Sequence, residues 1–259
     1  STPIKSSAAS DVYKRQEQNR KECYIREFSI EHFHDSKVFE TLIPKICKIF
    51  REENEELTGF ENEEILAEYQ IYKTPGYVYM KGNVQIYSAG KQAADISAFP
   101  EGIAVAVGSE EDVPDICPDQ TIDKVFTIEN LTSFYRFKQE HSLVIYLGGY
   151  HNHSRRNLLM QIYQKLPDAQ YYHFGDLDAG GFYILEHLKR KTGIPFQMFQ
   201  MDIETLKKYE DYAKPLTEND KKRLMQLEKM ELPDEERKLI TYMLQKGIKL
   251  EQECISESQ

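Results

Sequence analysis

The stretch that most constrains this chain is Ala169-Gln-Tyr-Tyr-His-Phe-Gly-Asp-Leu-Asp-Ala-Gly-Gly-Phe182. Tyr171 to Phe174 is a short aromatic run and reads as a strand. Gly175 lets the backbone turn. Asp176 and Asp178 follow at the carboxyl end of that strand, where open α/β sheets place their ligands. Ala179, Gly180 and Gly181 then open a helix whose first turn carries almost no side chain, so a phosphate or another charged group can come close to its N–H groups. Asp178 reads equally well as the N-cap of that helix. Asp176 does not share that explanation, because a cap needs one carboxylate and the loop has two.

The sequence around this stretch alternates between strand and helix. Val125-Phe-Thr-Ile128 is a predicted strand ending at Glu129-Asn130, and Leu131 to Phe137 a short helix. Leu143-Val-Ile-Tyr-Leu147 is a strand ending at Gly148-Gly149. Ser154 is positioned to cap a helix with Leu158, Leu159, Ile162, Tyr163 and Leu166 inward. The Asp-x-Asp strand follows, then a helix over 182–191 and a strand over Phe196–Met201. This rhythm predicts an α/β fold, a parallel sheet flanked by helices on both faces. Thr217-Glu-Asn-Asp220 has capping-box spacing, with Asp in the place of the usual Glu or Gln. A second helix is expected from about Asp234 to Gln245, with Gly247 as its C-cap.

The part before residue 120 is less regular. Residues 1–16 carry Ser6-Ser-Ala-Ala-Ser-Asp-Val-Tyr-Lys-Arg-Gln16, which resembles the translation of a sequencing-library adaptor, and are set aside as non-native. The natural protein is expected to continue upstream. Glu27–Phe33 reads as a short strand. Asp35 or Ser36 is expected to cap a helix with Val38, Phe39, Leu42, Ile43, Ile46, Ile49 and Phe50 on one face, kinked or divided at Pro44. A short helix is expected around Glu63–Tyr69. Tyr77–Lys81 and Val84–Tyr87 flank Gly82-Asn83, a hairpin signal. Residues 17–115 are thus expected to form a smaller α+β domain, winged-helix-like in outline. Asp95–Asp119 reads as an irregular connection, with the boundary near Pro114–Asp119. Residues 120–259 form the main domain with a helical extension.

Composition narrows the function classes. The formal net charge is −10 over 259 residues, which argues against non-specific coating of nucleic acid but not against a local basic groove or a metal screening the acids. Cys23, Cys47, Cys117 and Cys254 are widely spaced and suit a reducing cytoplasm, with no disulfide framework or zinc site. No apolar run reaches the length of a membrane span, and no signal peptide is evident.

Glu129, Asp176 and Asp178 all end strands at the same expected sheet edge. Three carboxylates brought together repel one another and call for a cation. Mg²⁺ fits best, since it takes a few carboxylates and keeps waters and substrate phosphate as its other ligands.

Strand-Glu-Asn, strand-Gly-Gly and strand-Asp-Leu-Asp-x-Gly-Gly in this order resemble the Toprim domain. Thr127-Ile-Glu-Asn-Leu-Thr-Ser-Phe134, Tyr146-Leu-Gly-Gly-Tyr-His-Asn152, His173–Phe182 and Lys249-Leu-Glu-Gln-Glu253 resemble the JetD family more narrowly, as does Asp35-Ser-Lys-Val-Phe-Glu40. That family supplies the nuclease subunit of the Wadjet plasmid-defence system and is related to the topoisomerase VI A subunit. The resemblance covers most of residues 22–255. It implies an endonuclease that cleaves double-stranded plasmid DNA with Mg²⁺ or Mn²⁺, using Glu129, Asp176 and Asp178 as catalytic metal ligands. It also implies an SMC-type motor complex, Wadjet JetABC, as partner, a homodimer, a cytoplasmic site of action, and an amino-terminal arm that this chain lacks. Topoisomerase relatives use a tyrosine nucleophile. None of the 17 tyrosines here stands out, so water is the expected nucleophile.

Other residues take supporting readings. Asn130, Gly148, Gly149, His151, Asn152, Glu251 and Glu253 are candidates for contacts around the site or to substrate. His151-Asn-His153 does not make the nuclease motif of that spelling, which is not a contiguous tripeptide. Gly148-Gly149 is more often a tight turn than a phosphate cradle. Arg155 and Arg156 are candidates for a DNA phosphate. Lys189, Arg190 and Lys191 are better read as charges opposing a helix dipole. Two other function classes compete. One is a non-catalytic DNA-binding or scaffold subunit with the same fold. The other is a phosphotransferase of the haloacid-dehalogenase type with Asp176 as nucleophile, which ordinarily has Gly-Thr after its Asp-x-Asp where this chain has Ala-Gly-Gly.

Overall fold

The computed structural model describes residues 23–54, 57, 60–73, 76–107, 114–148 and 153–255. The chain divides into two units, 1–76 with 108–111, and 77–107 with 112–259.

The first unit is mainly helical among its described residues. It contains β1 (Cys23–Tyr24), α1 (Ile25–Phe33), α2 (Val38–Glu53), α3 (Asn62–Glu68) and β2 (Ile71–Tyr72), which pairs with β1 in parallel. The segment expected as a strand at Glu27–Phe33 is helix α1. Ile25, Phe28 and Ser29 are its buried positions, a helical spacing, and the Glu27 carboxylate accepts from the Tyr24 N–H at 3.0 Å. The Ser29 hydroxyl accepts from the Phe39 N–H at 3.0 Å and donates to the Asp35 carbonyl, fastening α1 to the start of α2. Helix α2 runs through Pro44 undivided. Pro44 removes one intrahelical bond, yet Phe39, Leu42, Ile46, Cys47 and Phe50 keep one continuous buried stripe on both sides of it.

The second unit holds the remaining strands. These are β3 (Gly76–Lys81), β4 (Val84–Ser88), β5 (Lys91–Asp95), β6 (Ile103–Val107), β7 (Asp115–Pro118), β8 (Lys124–Ile128), β9 (Ser142–Tyr146), β10 (Gln170–Phe174), β11 (Gln197–Met198), β12 (Lys214–Pro215) and β13 (Ile248–Lys249). Its helices are α4 (Leu131–Arg136), α5 (His153–Lys165), α6 (Ala179–Thr192), α7 (Ile203–Lys208), α8 (Glu218–Leu227) and α9 (Asp234–Lys246). A six-stranded sheet runs in the order β11-β10-β8-β9-β3-β6. From β11 to β9 it is parallel, and β3 joins β9 antiparallel.

The central strands are covered on both faces, as parallel strands require. Along β8, Val125 enters an aliphatic core with Leu143, Leu158, Ile162 and Leu185. Its neighbour Phe126 turns to the other face, where it stacks on Tyr172 and meets Phe137 and Phe199. The parallel α/β arrangement expected from residue 124 onward is present, although the strand expected over Phe196–Met201 is reduced to Gln197–Met198.

The expected Gly82-Asn83 hairpin does not form. β3 belongs to the six-stranded sheet, while β4 lies between β5 and β7 in a three-stranded antiparallel one. At Gly82 the chain passes from one sheet to the other with φ +138°, and a Cβ there would stand 2.6 Å from the Ser142 carbonyl oxygen. The hairpin is instead β4–β5, turned at Ala89-Gly90, where both residues have positive φ as a two-residue type I′ turn demands. Asp95–Asp119, expected as irregular connection, contains β6 and β7 and contributes to both sheets. The units therefore divide after Gly76, not near Pro114–Asp119, because β3 to β7 are built into the second unit's sheets. The strands counted toward a winged-helix outline lie outside the first unit.

Candidate active site

The site lies at the carboxyl ends of β8 and β10, adjacent in the sheet and in register from Lys124–Gln170 to Ile128–Phe174. That register brings the two following loops together. The Glu129 N–H donates to the Phe174 carbonyl at 3.1 Å, and the Asp176 N–H donates to Glu129 Oε2 at 3.3 Å. Gly175, between them, is the place where the chain has no room. A Cβ there would stand 2.7 Å from Glu129 Oε2 and 2.8 Å from His173 Nε2.

Asp178 takes the cap position of α6, its Oδ1 accepting from the Gly181 N–H at 2.9 Å. The N-cap reading of this residue is observed, and the cap engages one oxygen while the carboxylate lies close enough to Asp176 to repel it. Burial pushes the Asp176 carboxyl up to about 6. The Gln252 N–H, donating to Oδ1 at 2.6 Å, works against that shift, and repulsion from Asp178, Glu251 and Glu253 adds to it. Four acids thus share one field.

Residues 250–254 complete the enclosure. Leu250 and Leu177 exchange backbone hydrogen bonds of 2.9 and 3.1 Å, setting 250–254 across the Asp-x-Asp loop. Glu251 pairs with Lys214 at 2.5 Å, and Glu253 accepts from the Asn130 side-chain amide at 2.6 Å. Asn130 also caps α4, accepting from the Ser133 N–H at 3.0 Å. Glu251, Glu253 and Asn130 are therefore gathered with the acids. Gly148 ends β9 at φ +65°. Gly149, His151 and Asn152 lie outside the described residues.

The basic candidates are placed differently. The Arg155 guanidinium donates to the Leu147 and Tyr77 carbonyls, the latter at 3.2 Å, and so ties α5 to the ends of β9 and β3. Arg156 is half-buried on the same helix. Lys189, in the last turn of α6 as the helix-dipole reading placed it, pairs with Glu186 and the buried Glu236.

Two residues escaped the sequence reading. His173 is fully buried, with Nδ1 2.9 Å from the Thr127 hydroxyl. That hydroxyl is 3.2 Å from the Tyr172 carbonyl, to which it donates, so it accepts from His173 Nδ1–H and leaves Nε2 as the bare nitrogen. Burial, and then the charge of Lys189, push the imidazole down to about 3. Gln252 is fully buried as well. Its only signal in sequence is a neutral side chain between two acids in Glu251-Gln-Glu253.

Among the described residues, no three His, Cys, Asp or Glu side chains stand grouped closely enough to hold a metal ion as they are. The donor set is nevertheless of the right kind for a hard divalent cation. All are carboxylates, they crowd Asp176, and Mg²⁺ itself takes only one or two carboxylates with waters. Glu129, Asp176 and Asp178 are the carboxylates at the β8 and β10 exits that would supply them. No helix among the described residues is long and apolar enough to cross a membrane.

Comparison with known proteins agrees with this region. The family model described as Wadjet protein JetD, C-terminal, matches residues 111–259. The Wadjet protein JetD of Bacillus cereus (strain Q1) is 30% identical over 235 residues, covering 89% of this chain and 56% of that relative. The chain thus spans about half the length of the curated relative it matches.

Proposed function

This chain belongs to the JetD C-terminal family, and on that premise we propose that its second unit carries a Toprim-type endonuclease site that hydrolyses duplex plasmid DNA. The observation that carries the reading is the tie between Glu129 and Asp176, two acids 47 positions apart in sequence that meet at one sheet edge. Asp178 adds a third carboxylate at the N-terminus of α6. An arrangement that crowds like charges and raises the Asp176 carboxyl is costly for stability and favours a bound cation.

Mg²⁺ or Mn²⁺, when bound, would supply a polarised phosphate and an activated water. Glu129, Asp176 and Asp178 would hold it. The chain's own part is to fix these carboxylates at the strand ends, with Asp178 held at the N-terminus of α6 by the Gly181 N–H. Tyr146 ends β9 at the same edge, and burial holds its phenol above the usual value, with Arg155 opposing the shift and Tyr79 and Glu129 adding to it.

The proposal extends to the partners. The protein would act as the effector of a Wadjet SMC-type motor complex, as a homodimer in the cytoplasm. The deciding experiment is plasmid cleavage by protein extended to the relative's full length, with its motor partners, ATP and Mg²⁺ or Mn²⁺, beside Glu129→Ala. Linear product from the wild type alone supports the reading. Equal cleavage by both removes Glu129 from the mechanism. DNA binding without cleavage by either would make the protein a scaffold subunit.

A further inference from the structure

Gln252 stands between the two strand ends that carry the acids, and it bonds to both. Its side-chain Oε1 accepts from the Asn130 N–H at 2.8 Å, at the exit of β8. Its Nε2 donates to the Phe174 carbonyl at 2.9 Å, the last residue of β10. Its own N–H donates to Asp176 Oδ1 at 2.6 Å. The side chain is fully buried, so neither amide end can exchange its partner for water. Turning the amide over would set the oxygen against the Phe174 carbonyl and the NH₂ against the Asn130 N–H. Only one orientation is therefore allowed.

We propose that Gln252 is a positioning residue for the acid site. It sets the separation of the β8 and β10 exits, and hence of Glu129 and Asp176. By engaging Asp176 Oδ1 through its backbone, it also decides which carboxylate oxygen is left for a ligand. The turn at Gln252–Cys254 thereby controls the cation affinity of acids about 75 and 120 residues earlier in sequence. The cation part of this inference rests on the metal-site reading above, whereas the tie between strand exits does not.

The test compares wild type, Gln252→Glu, Gln252→Met and Leu239→Ala, using the whole chain. Gln252→Glu keeps the length and the acceptor for Asn130 but places an acceptor against Phe174. Leu239 is buried on α9 and serves as a control for general loss of stability. Two quantities are read: Mn²⁺ affinity by calorimetry, and amide hydrogen exchange of the metal-free protein over 124–136 and 170–182. We expect faster exchange in both segments for the Gln252 variants, and Mn²⁺ affinity lower by about 10-fold or more. Leu239→Ala should keep wild-type affinity. Unchanged exchange, unchanged affinity in the Gln252 variants, or an equal loss of affinity in Leu239→Ala would each overturn the proposal. If the wild type binds no Mn²⁺, the metal reading falls, and exchange at the strand exits alone decides whether Gln252 ties them.

Discussion

Gly181 stands so close to the Asp176 carbonyl that a Cβ on it would lie 2.2 Å from that oxygen. The oxygen is backbone, so it cannot swing aside. Gly180, one residue earlier, would meet only the Asp178 side chain, at 3.2 Å. Two adjacent glycines at the start of α6 thus have different jobs. Gly181 admits the Asp-x-Asp loop against the helix, whereas Gly180 faces a side chain that can shift by a few tenths of an ångström. Gly181→Ala should therefore destabilise the protein by about 1–3 kcal/mol or more, an overpacking cost, and Gly180→Ala by clearly less. Urea unfolding of both variants decides this, and equal losses would show that the loop can yield.

Asp178 combines a cap with a charge, and two substitutions separate them. Asn is as good an N-cap as Asp, so Asp178→Asn should keep stability close to wild type, while Asp178→Ala should lose about 1 kcal/mol. If Asp178 also serves the cation, both variants lose Mn²⁺ affinity and plasmid cleavage. Full cleavage by Asp178→Asn would leave Asp178 with the cap alone.

His173 predicts a pH dependence of stability. Its folded value of about 3 lies below the ordinary imidazole value of 6.5. Between those values the unfolded chain binds a proton that the native state refuses. The contribution is therefore complete above about pH 6.5 and is lost as pH falls toward 3. Over that window the slope is at most about 1.4 kcal/mol per pH unit. Unfolding free energies of wild type and His173→Leu at pH 7 and pH 5 should converge at the lower pH. A constant difference between them would mean that His173 titrates alike in the folded and the unfolded protein.

The Lys189 cluster predicts the opposite sign. Glu236 is pushed up to about 7 by burial and by its hydrogen bond to Glu186, with Lys189 acting against both. A carboxyl raised in the folded state favours folding at low pH, and that contribution is lost as pH rises from its unfolded value through about 7. Glu236→Gln keeps an acceptor for Lys189 and removes the charge. It should be more stable than wild type at pH 8, on the order of 1 kcal/mol, with the gap closing below pH 4.5. Lower stability of the variant at pH 8 would show that the ion pair outweighs the desolvation of Glu236.

Arg155 should behave as a structural residue. Its bonds to the Leu147 and Tyr77 carbonyls hold the ends of β9 and β3. Arg155→Ala should lower the melting temperature while leaving the salt slope of DNA binding unchanged. A lysine or arginine that neutralises a phosphate would instead reduce that slope by about 1. A reduced slope in Arg155→Ala would restore it as a DNA contact.

The sequence by itself determined the parallel core and the positions of its acids. Val125–Ile128, Leu143–Tyr146 and Tyr171–Phe174 are short apolar runs bounded by turn residues, and such runs declare themselves locally. A parallel sheet then requires their carboxyl ends to lie together, so Glu129 and Asp176 could be paired before any coordinates. The Thr217–Asp220 capping box and the Gly247 cap were legible for the same reason, since each is a relation between residues a few positions apart. What tertiary structure decided was every choice between comparable local signals. Gly82-Asn83 reads as a hairpin turn, yet the backbone of Ser142, 60 positions on, leaves no room for a side chain at Gly82, and β3 and β4 enter different sheets while the turn forms at Ala89-Gly90. Glu27–Phe33 became a helix because its apolar face met α2. Gln252 shows locally only as a neutral side chain between two acids. Its role arises from three partners at 130, 174 and 176, and hydrogen bonds of that reach exist only once the chain has folded.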